Sequence, residues 1–301
     1  MSKLKLLCTD SELPTFDQPW FRPVIAEHFE LIYNEHNQTH SPLDTIVVTK
    51  LFGNDTWYKK YQEQGYKVLI DNLWEQPRPI NNINTFAITN KNFFWYNESL
   101  WYSYLGYDAH SPCPAVTKNG LLLMNLARPH RTWLFDNLNL NNLLYSYVGR
   151  GIYLSNDIST NDQYWQRYFN PDWYNSTAFS IVAETTVHKD EPLFITEKTF
   201  KPIAFQHPFI VFGQPGVLKY LRKLGFETFE NMFNEVYDVT FELDERMYNI
   251  AAQVNDYTYK PYDLLTIEKL RHNKELFFNK EIVVKRIKEE IIDKINEWAN
   301  L

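Results

Sequence analysis

"FSIVAETTVHKDEPLFITEKTFKPIAFQHPFIVFG", residues 179–213, carries two apolar runs separated by a polar stretch and a mixed segment. The first run, "AFSIVAET" from residue 178, and the last, "PFIVFG" from residue 208, are rich in β-branched and aromatic residues and predict buried strands. Between them "TEKTFKPIAF", from residue 196, predicts a helix. Strand, helix, strand at this spacing is the signature of a parallel α/β sheet. The triplet Thr196, Glu197 and Lys198 stands directly before the apolar part of that helix. A purely structural element does not need it, whereas a site that grips a charged, hydroxylated ligand does.

Working outward, the same pattern fills the chain. In the first third, "KLKLLCT", "DTIVVTKLF", "YKVLID" and "TFAITN" read as strands. "FRPVIAEHFELIYN" (21–34) has apolar residues at helical spacing, and "NDTWYKKYQEQG" (54–65) predicts a helix capped by Asn54 or Asp55 and stopped at Gly65. "DAHSPCPAVTKNG" (108–120) is rich in Pro, Ser and Gly and marks a domain boundary. Beyond it "GLLLMNLA" reads as a strand and "RTWLFDNLNLNNLLYSY" (131–147) as a helix. After the quoted stretch come a helix, "GVLKYLRKLG", and a strand-like "FETF" (226–229). From Thr266 to Trp298 the tail is helical, with Ile287, Ile291, Ile295 and Trp298 on one stripe. The expected organisation is an N-terminal α/β domain over 1–117, a C-terminal α/β domain over 118–265, and helices over 266–301 that pack on the body.

Composition narrows the function classes. The 301 residues, 44% hydrophobic, suffice for two domains with sizeable cores. Two cysteines, Cys8 and Cys113, offer neither a disulfide framework nor a CxxC zinc pattern. No segment reads as a signal peptide, and no apolar run reaches the roughly 20 residues of a membrane span. The expectation is a soluble cytoplasmic protein. A net charge of −7 does not advertise a nucleic-acid groove, although segregated charge leaves one possible. Aromatics reach 17%, and Trp57, Trp74, Trp95 and Trp101 of the first domain suit a saccharide surface.

In open parallel sheets, ligands bind beyond the carboxyl ends of the strands. Three polar sets fall there: Asn125, Arg128, His130 and Arg131 after "GLLLMNLA"; Glu184 and Thr185 after "AFSIVAE"; then Thr196, Glu197 and Lys198. Arginine forks match phosphate oxygens, a lysine at a helix start adds to the free N–H groups there, and a carboxylate can take two hydrogen bonds from a ribose diol. The combination fits a nucleoside diphosphate. Each group also has a plain reading as a helix cap, ion-pair partner or solvated helix start, and His130, His188 and His207 read as structural. There is no HExxH, clustered DxD, EF-hand, Walker loop or GxGxxG, so neither a metal nor a dinucleotide cofactor is indicated.

The quoted stretch also resembles the donor-binding signature of the α-1,3-fucosyltransferase family. The matches are Ala183-Glu184-Thr185, Phe194 to Lys198, and Pro208 to Gly213; "MNLARPHRTWLFDNL" is similar to the family's Asn-then-Arg segment through Asn125 and either Arg128 or Arg131. The likeness runs over about residues 121–216. It departs from the signature at Thr185-Thr186, where the family has Asn-Ser, and in a longer gap before Thr-Glu-Lys, which leaves the donor sugar open. "LKYLRKLGFETFENMFNEVYD" is similar to segments of phage and marine-virus proteins, a setting rather than an activity; a viral enzyme would work in the host cytoplasm.

The resemblance implies a GT-B fold, with two Rossmann-like domains facing across a cleft, and inverting, metal-independent transfer from a GDP- or UDP-linked sugar. By carry-over Glu184 and Glu197 become ribose or sugar contacts, with Lys198 and Arg131 or Arg128 on the pyrophosphate. An inverting transfer needs a base. Glu75, in Glu75-Gln76-Pro77 where the family has Glu-Ser-Pro, ranks first and Asp71 second, with Asp10 and Glu98 behind. The acceptor is a saccharide hydroxyl or, in a virus, a modified DNA base turned out of the stack. Two other classes compete: a nucleotide-sugar- or carbohydrate-binding protein without turnover, and a structural virion component without a ligand.

Overall fold

Strand β1 (Leu4–Cys8) runs parallel to β2 (Phe29–Tyr33) on one side and to β3 (Thr45–Lys50) on the other. The computed structural model describes residues 3–8, 15–33, 40–50, 56–74, 81–154 and 170–301, without the side chains of 50, 56–58 and 81–82. Two units emerge: residues 1–105 with 279–301, and residues 106–278. The break thus falls between Leu105 and Gly106, upstream of the Pro-rich segment, and the C-terminal helices are shared between the units.

The first unit continues with β4 (Lys67–Asp71), β5 (Asn81–Asn82) and β6 (Thr85–Ile88), giving the order β2-β1-β3-β4-β6-β5, parallel except for β5. Val47, Val68, Leu69 and Ile70 are fully buried, which is why the central strands read as unbroken apolar runs. Its helices are α1 (Arg22–Ala26), α2 (Thr56–Glu63) and α3 (Phe93–Tyr104). Residues 21–34 are therefore not one helix. Pro23 starts a five-residue helix, and the alternation Phe29, Leu31, Tyr33 then makes an edge strand.

The second unit holds β7 (Lys118–Met124), β8 (Leu143–Tyr147), β9 (Thr177–Ala183) and β10 (Phe209–Phe212), all parallel, in the order β10-β9-β7-β8. Helix α4 (Pro129–Asn137) ends early, because Asn139 caps a 3-10 turn and the next five residues form β8. This corrects the helix expected over 131–147. Helices α5 (Pro171–Asn175), α6 (Glu197–Ala204) and α7 (Val217–Leu224) follow the sheet pattern. The expected strand at 226–229 is absent: the segment is a loop, with Lys269 Nζ on the Thr228 carbonyl at 2.7 Å.

Helices α8 (Leu243–Asp256) and α9 (Leu264–Phe277) belong to the second unit; α10 (Lys280–Ile287), a π-helical turn (Lys288–Ile292) and α11 (Asp293–Ala299) belong to the first. Ile287, Ile291, Ile295 and Trp298 are buried, as their spacing predicts. Among the described residues no helix is long and apolar enough to cross a membrane.

Candidate functional site

In both sheets the strand order reverses beside the first strand of the unit, so each has a switch point where chain ends diverge. In the second unit that point lies between β7 and β9, and the three polar sets of the sequence meet at the carboxyl ends of these strands.

Glu184, the first residue beyond β9, is completely buried. Its Oε1 accepts the Thr196 backbone N–H at 3.0 Å and the Thr199 hydroxyl at 2.6 Å; its Oε2 accepts the Thr196 hydroxyl at 2.6 Å and the Thr185 N–H at 3.1 Å. Four donors saturate the acceptor sites of a carboxylate. The ribose contact that the resemblance implies for Glu184 has no acceptor left to use. The Glu184 carbonyl is equally occupied, by Arg131 Nη2 at 3.0 Å and by His130 Nε2 at 3.1 Å. Burial holds the His130 imidazole down at about 4, against a smaller upward pull from that carbonyl, so the ring is neutral at pH 7.

The two arginines separate into different roles. Arg131 is 3% exposed and spends its fork on the carbonyls of Glu184 and Leu126. Burial, then the neighbouring Arg128, lowers its pKa from the usual guanidinium value. Arg128, the N-cap of α4, is only partly buried, and its Nη1 lies 3.2 Å from the Thr185 carbonyl. Lys198 Nζ reaches the other end of the same residue, 3.4 Å from Thr185 Oγ1. Arg128 and Lys198 thus both contact Thr185, one at its carbonyl and the other at its hydroxyl, while Arg131 binds the carbonyl of the preceding residue, Glu184.

Helix α6 presents the rest. Thr196 is its N-cap and its hydroxyl accepts from the Lys198 N–H. Lys198 Nζ also donates to Thr196 Oγ1 at 3.0 Å and to Glu197 Oε1 at 2.7 Å. Burial pushes the Glu197 carboxyl up, but the Lys198 and Lys201 ammonium groups outweigh it and hold the carboxyl at about 2. Among the described residues around this corner, four cations (Arg128, Arg131, Lys198, Lys201) stand against two carboxylates (Glu184, Glu197). The surplus of two positive charges is the complement of a diphosphate. Lys201 was not singled out in the sequence; its signal was the helical spacing from Glu197, i to i+4.

A cavity of about 90 Å³ adjoins the corner, walled largely by apolar residues of β7 and β9 and by Trp173 of α5, with Asn125, Glu197, Lys198 and Lys201 among its polar lining. Arg128, Arg131 and Glu184 stand outside its lining. It admits part of a nucleotide rather than the whole, since sites for drug-sized ligands run to several hundred Å³. The loop carrying Asn125 is held by the Gly149 N–H, 2.7 Å from the Asn125 carbonyl. A Cβ at Gly149 would fall 2.7 Å from both Asn125 O and Ala127 N, so only glycine allows this approach.

The proposed bases fare differently. Glu75 and Asp10 lie outside the described residues. Asp71, at the end of β4, is 5% exposed and accepts the Thr15 N–H at 2.8 Å and the Leu73 N–H at 3.4 Å, which makes it a brace between loops. Glu98 is buried inside α3, with Asn97 Nδ2 on its Oε1. Of the indoles expected to form a saccharide surface, Trp95 and Trp101 are buried and Trp74 is partly buried. Trp101 stacks on Trp20 at 5.2 Å, Trp95 lies under Arg286 at 5.1 Å, and Trp74 stands edge-on to Phe93 at 4.8 Å. The Trp57 side chain lies outside the described residues. Among the described residues no group of three or more His, Cys, Asp or Glu could hold a metal ion.

The chain is similar to three crystal structures of α1,3-fucosyltransferase. One shares 12% identity, with 94% of this chain and 92% of that chain covered and a TM-score of 0.48. A second, with GDP, shares 11% over 94% and 93%, at a TM-score of 0.45. A third, with GDP-fucose, shares 10% over 94% and 90%, at 0.44. No protein-family model matches the chain, and no curated protein matches it.

Proposed function

We propose that the chain is a glycosyltransferase of GT-B type that moves a sugar from a GDP- or UDP-linked donor onto a hydroxyl acceptor, with inversion and without a metal. The second unit holds the donor and the first supplies the acceptor side. The observation that carries the reading is that Arg128 and Lys198 both contact Thr185, with Arg131 on the neighbouring Glu184 carbonyl, at the switch point of a parallel sheet. Arg128, being partly exposed, is the arginine that contacts the pyrophosphate directly; Arg131, buried on the Glu184 and Leu126 carbonyls, adds its charge from the interior.

In the reaction the acceptor oxygen attacks the anomeric carbon while the carbon–oxygen bond to the diphosphate breaks. The electron pair leaves with the diphosphate, and the acceptor proton passes to a carboxylate, for which Glu75 remains the first choice. Charge grows on the departing diphosphate, and fixed ammonium and guanidinium groups stabilise it without reorganising. The acceptor is a saccharide or, in a viral setting in the host cytoplasm, a modified DNA base.

The test is transfer itself. GDP- and UDP-sugars are offered with saccharide and modified-base acceptors in EDTA, and the product's anomeric configuration is read by NMR. The expected result is an inverted product, with Lys198→Ala lowering kcat/KM by about 100-fold, the usual loss for one oxyanion-stabilising donor. Transfer that requires a divalent ion, or retention of configuration, overturns the mechanism. A second reading, a nucleotide-sugar-binding protein without turnover, draws on Asp71, whose carboxylate already serves two backbone N–H groups. It is supported instead if donor binds and no acceptor is ever glycosylated.

A further inference from the structure

Glu184 accepts four hydrogen bonds, and all four come from donors: two backbone N–H groups and the hydroxyls of Thr196 and Thr199. A hydroxyl has a single proton. Because the Thr196 proton points at Glu184 Oε2, the same oxygen is left as a pure acceptor on its other side. That side is where Lys198 arrives, with its backbone N–H at 3.5 Å and its ammonium Nζ at 3.0 Å.

We propose that Glu184 is the positioning residue of the donor site: by fixing the proton direction of the Thr196 hydroxyl it orients Lys198 toward Thr185 and Arg128, and it never touches the ligand. This rests on the function proposed above and reverses the ligand role that the family signature suggests for this carboxylate. Burial supports it, since Glu184 is 0% exposed and outside the cavity lining, whereas Lys198 lines it. Thr199 shares the task. Its hydroxyl fills the second site on Oε1, so the carboxylate cannot rotate away from Thr196. An amide in place of Glu184 turns two acceptor sites into donors. With the amide nitrogen at the Oε2 position the Thr196 hydroxyl must accept from it and swing its proton toward Lys198; with the nitrogen at the Oε1 position it faces the Thr196 backbone N–H; either way donor is set against donor at the start of α6.

The experiment uses the full chain in four forms: wild type, Glu184→Gln, Lys198→Met and the double variant. Two readouts are taken. Calorimetric titration with GDP and UDP gives affinity, and hydrogen exchange gives the protection of the amides of residues 196–199. Expected are a roughly tenfold loss of affinity in Glu184→Gln, the scale of one buried polar mismatch, and no further loss when Glu184→Gln is added to Lys198→Met. Exchange of the α6 first turn should quicken about tenfold in Glu184→Gln while the strands of the sheet keep their protection. Affinity losses that multiply in the double variant would show Glu184 acting on the ligand directly, and unchanged exchange would show that it clamps nothing; either overturns the proposal. If wild type binds neither nucleotide, the function proposed above fails, while the exchange data still decide the positioning claim. Should Glu184→Gln not fold, Thr199→Val removes one donor from Oε1 and is read in the same way, with a threefold loss of affinity and the same absence of further loss beside Lys198→Met.

Discussion

Glu197 lies buried between two lysines, and its carboxyl is held at about 2, below the ordinary 4.5. A carboxyl depressed on folding contributes stability that is complete above its unfolded value and is lost as pH falls toward the folded one. For Glu197 that window runs from about 4.5 down to about 2. His130 and His207 are likewise depressed by burial, from 6.5 to about 4. They must take up a proton on unfolding, so they erode stability as pH falls from about 6.5 to about 4. Urea titrations at stepped pH should therefore show two limbs of acid destabilisation. Glu197→Gln should flatten the lower limb and leave the upper one in place; a lower limb of unchanged slope would mean that Lys198 and Lys201 do not hold Glu197 as described. The same residues mark what was readable in the site. Residue type and strand-end position located Arg128, Arg131, Glu184, Glu197 and Lys198. What sequence could not reveal was the division of labour between them, because saturation of a carboxylate and burial of a guanidinium depend on where Thr196, Thr199 and Leu126 fall in space.

At the scale of elements, α7 shows how a helix start is fixed by a distant side chain. Gly216 precedes it with φ +87° and no side-chain cap, and Asp238 supplies the cap instead, accepting Leu218 N–H at 2.8 Å and Lys219 N–H at 2.9 Å. Asp238→Ala should lower stability by about 1–2 kcal/mol, the usual loss for a capping carboxylate, measured as a fall in the urea midpoint with an unchanged m-value. A neutral substitution would show that solvent caps these N–H groups equally well. This cap was invisible in the sequence, because it lies some twenty residues downstream. The quoted stretch was legible for the opposite reason: β9, α6 and β10 follow one another, each with its own apolar pattern and its own stop. Residues 21–34 and 131–147 misled because a helical spacing of apolar residues ran straight into a strand with no Gly or Pro between. The real breaks were Asn139 in one case and the start of a period-two alternation at Phe29 in the other. The loop at 226–229 has strand-like composition, yet its aromatic side chains Phe226 and Phe229 are buried against helices and strands of the second unit rather than in a ladder.

At the scale of the whole molecule, both units lay out their first four parallel strands in the same order, second, first, third, fourth. That order was not derivable from periodicity, but its consequence was: polar residues after the first and third strands of a unit converge. The last helices return to the first unit through specific bonds, with Glu290 accepting Asn90 and Asn92 side chains at 3.0 and 2.9 Å and Lys67 Nζ donating to the Ala299 carbonyl at 2.8 Å. The amphipathic stripe foretold that these helices pack; it did not say on which unit.

The central claim is that fixed cations of the second unit bind a nucleoside diphosphate without help from a divalent ion. The most direct measurement is the thermal shift of the chain with GDP, UDP and CMP, each with and without EDTA. Ligand at 100 times its dissociation constant should stabilise by about 2.7 kcal/mol. The account predicts a rise in melting temperature with GDP or UDP that EDTA leaves intact and that Lys198→Ala greatly reduces. A shift that appears only with a divalent ion, or none with either diphosphate, would contradict it.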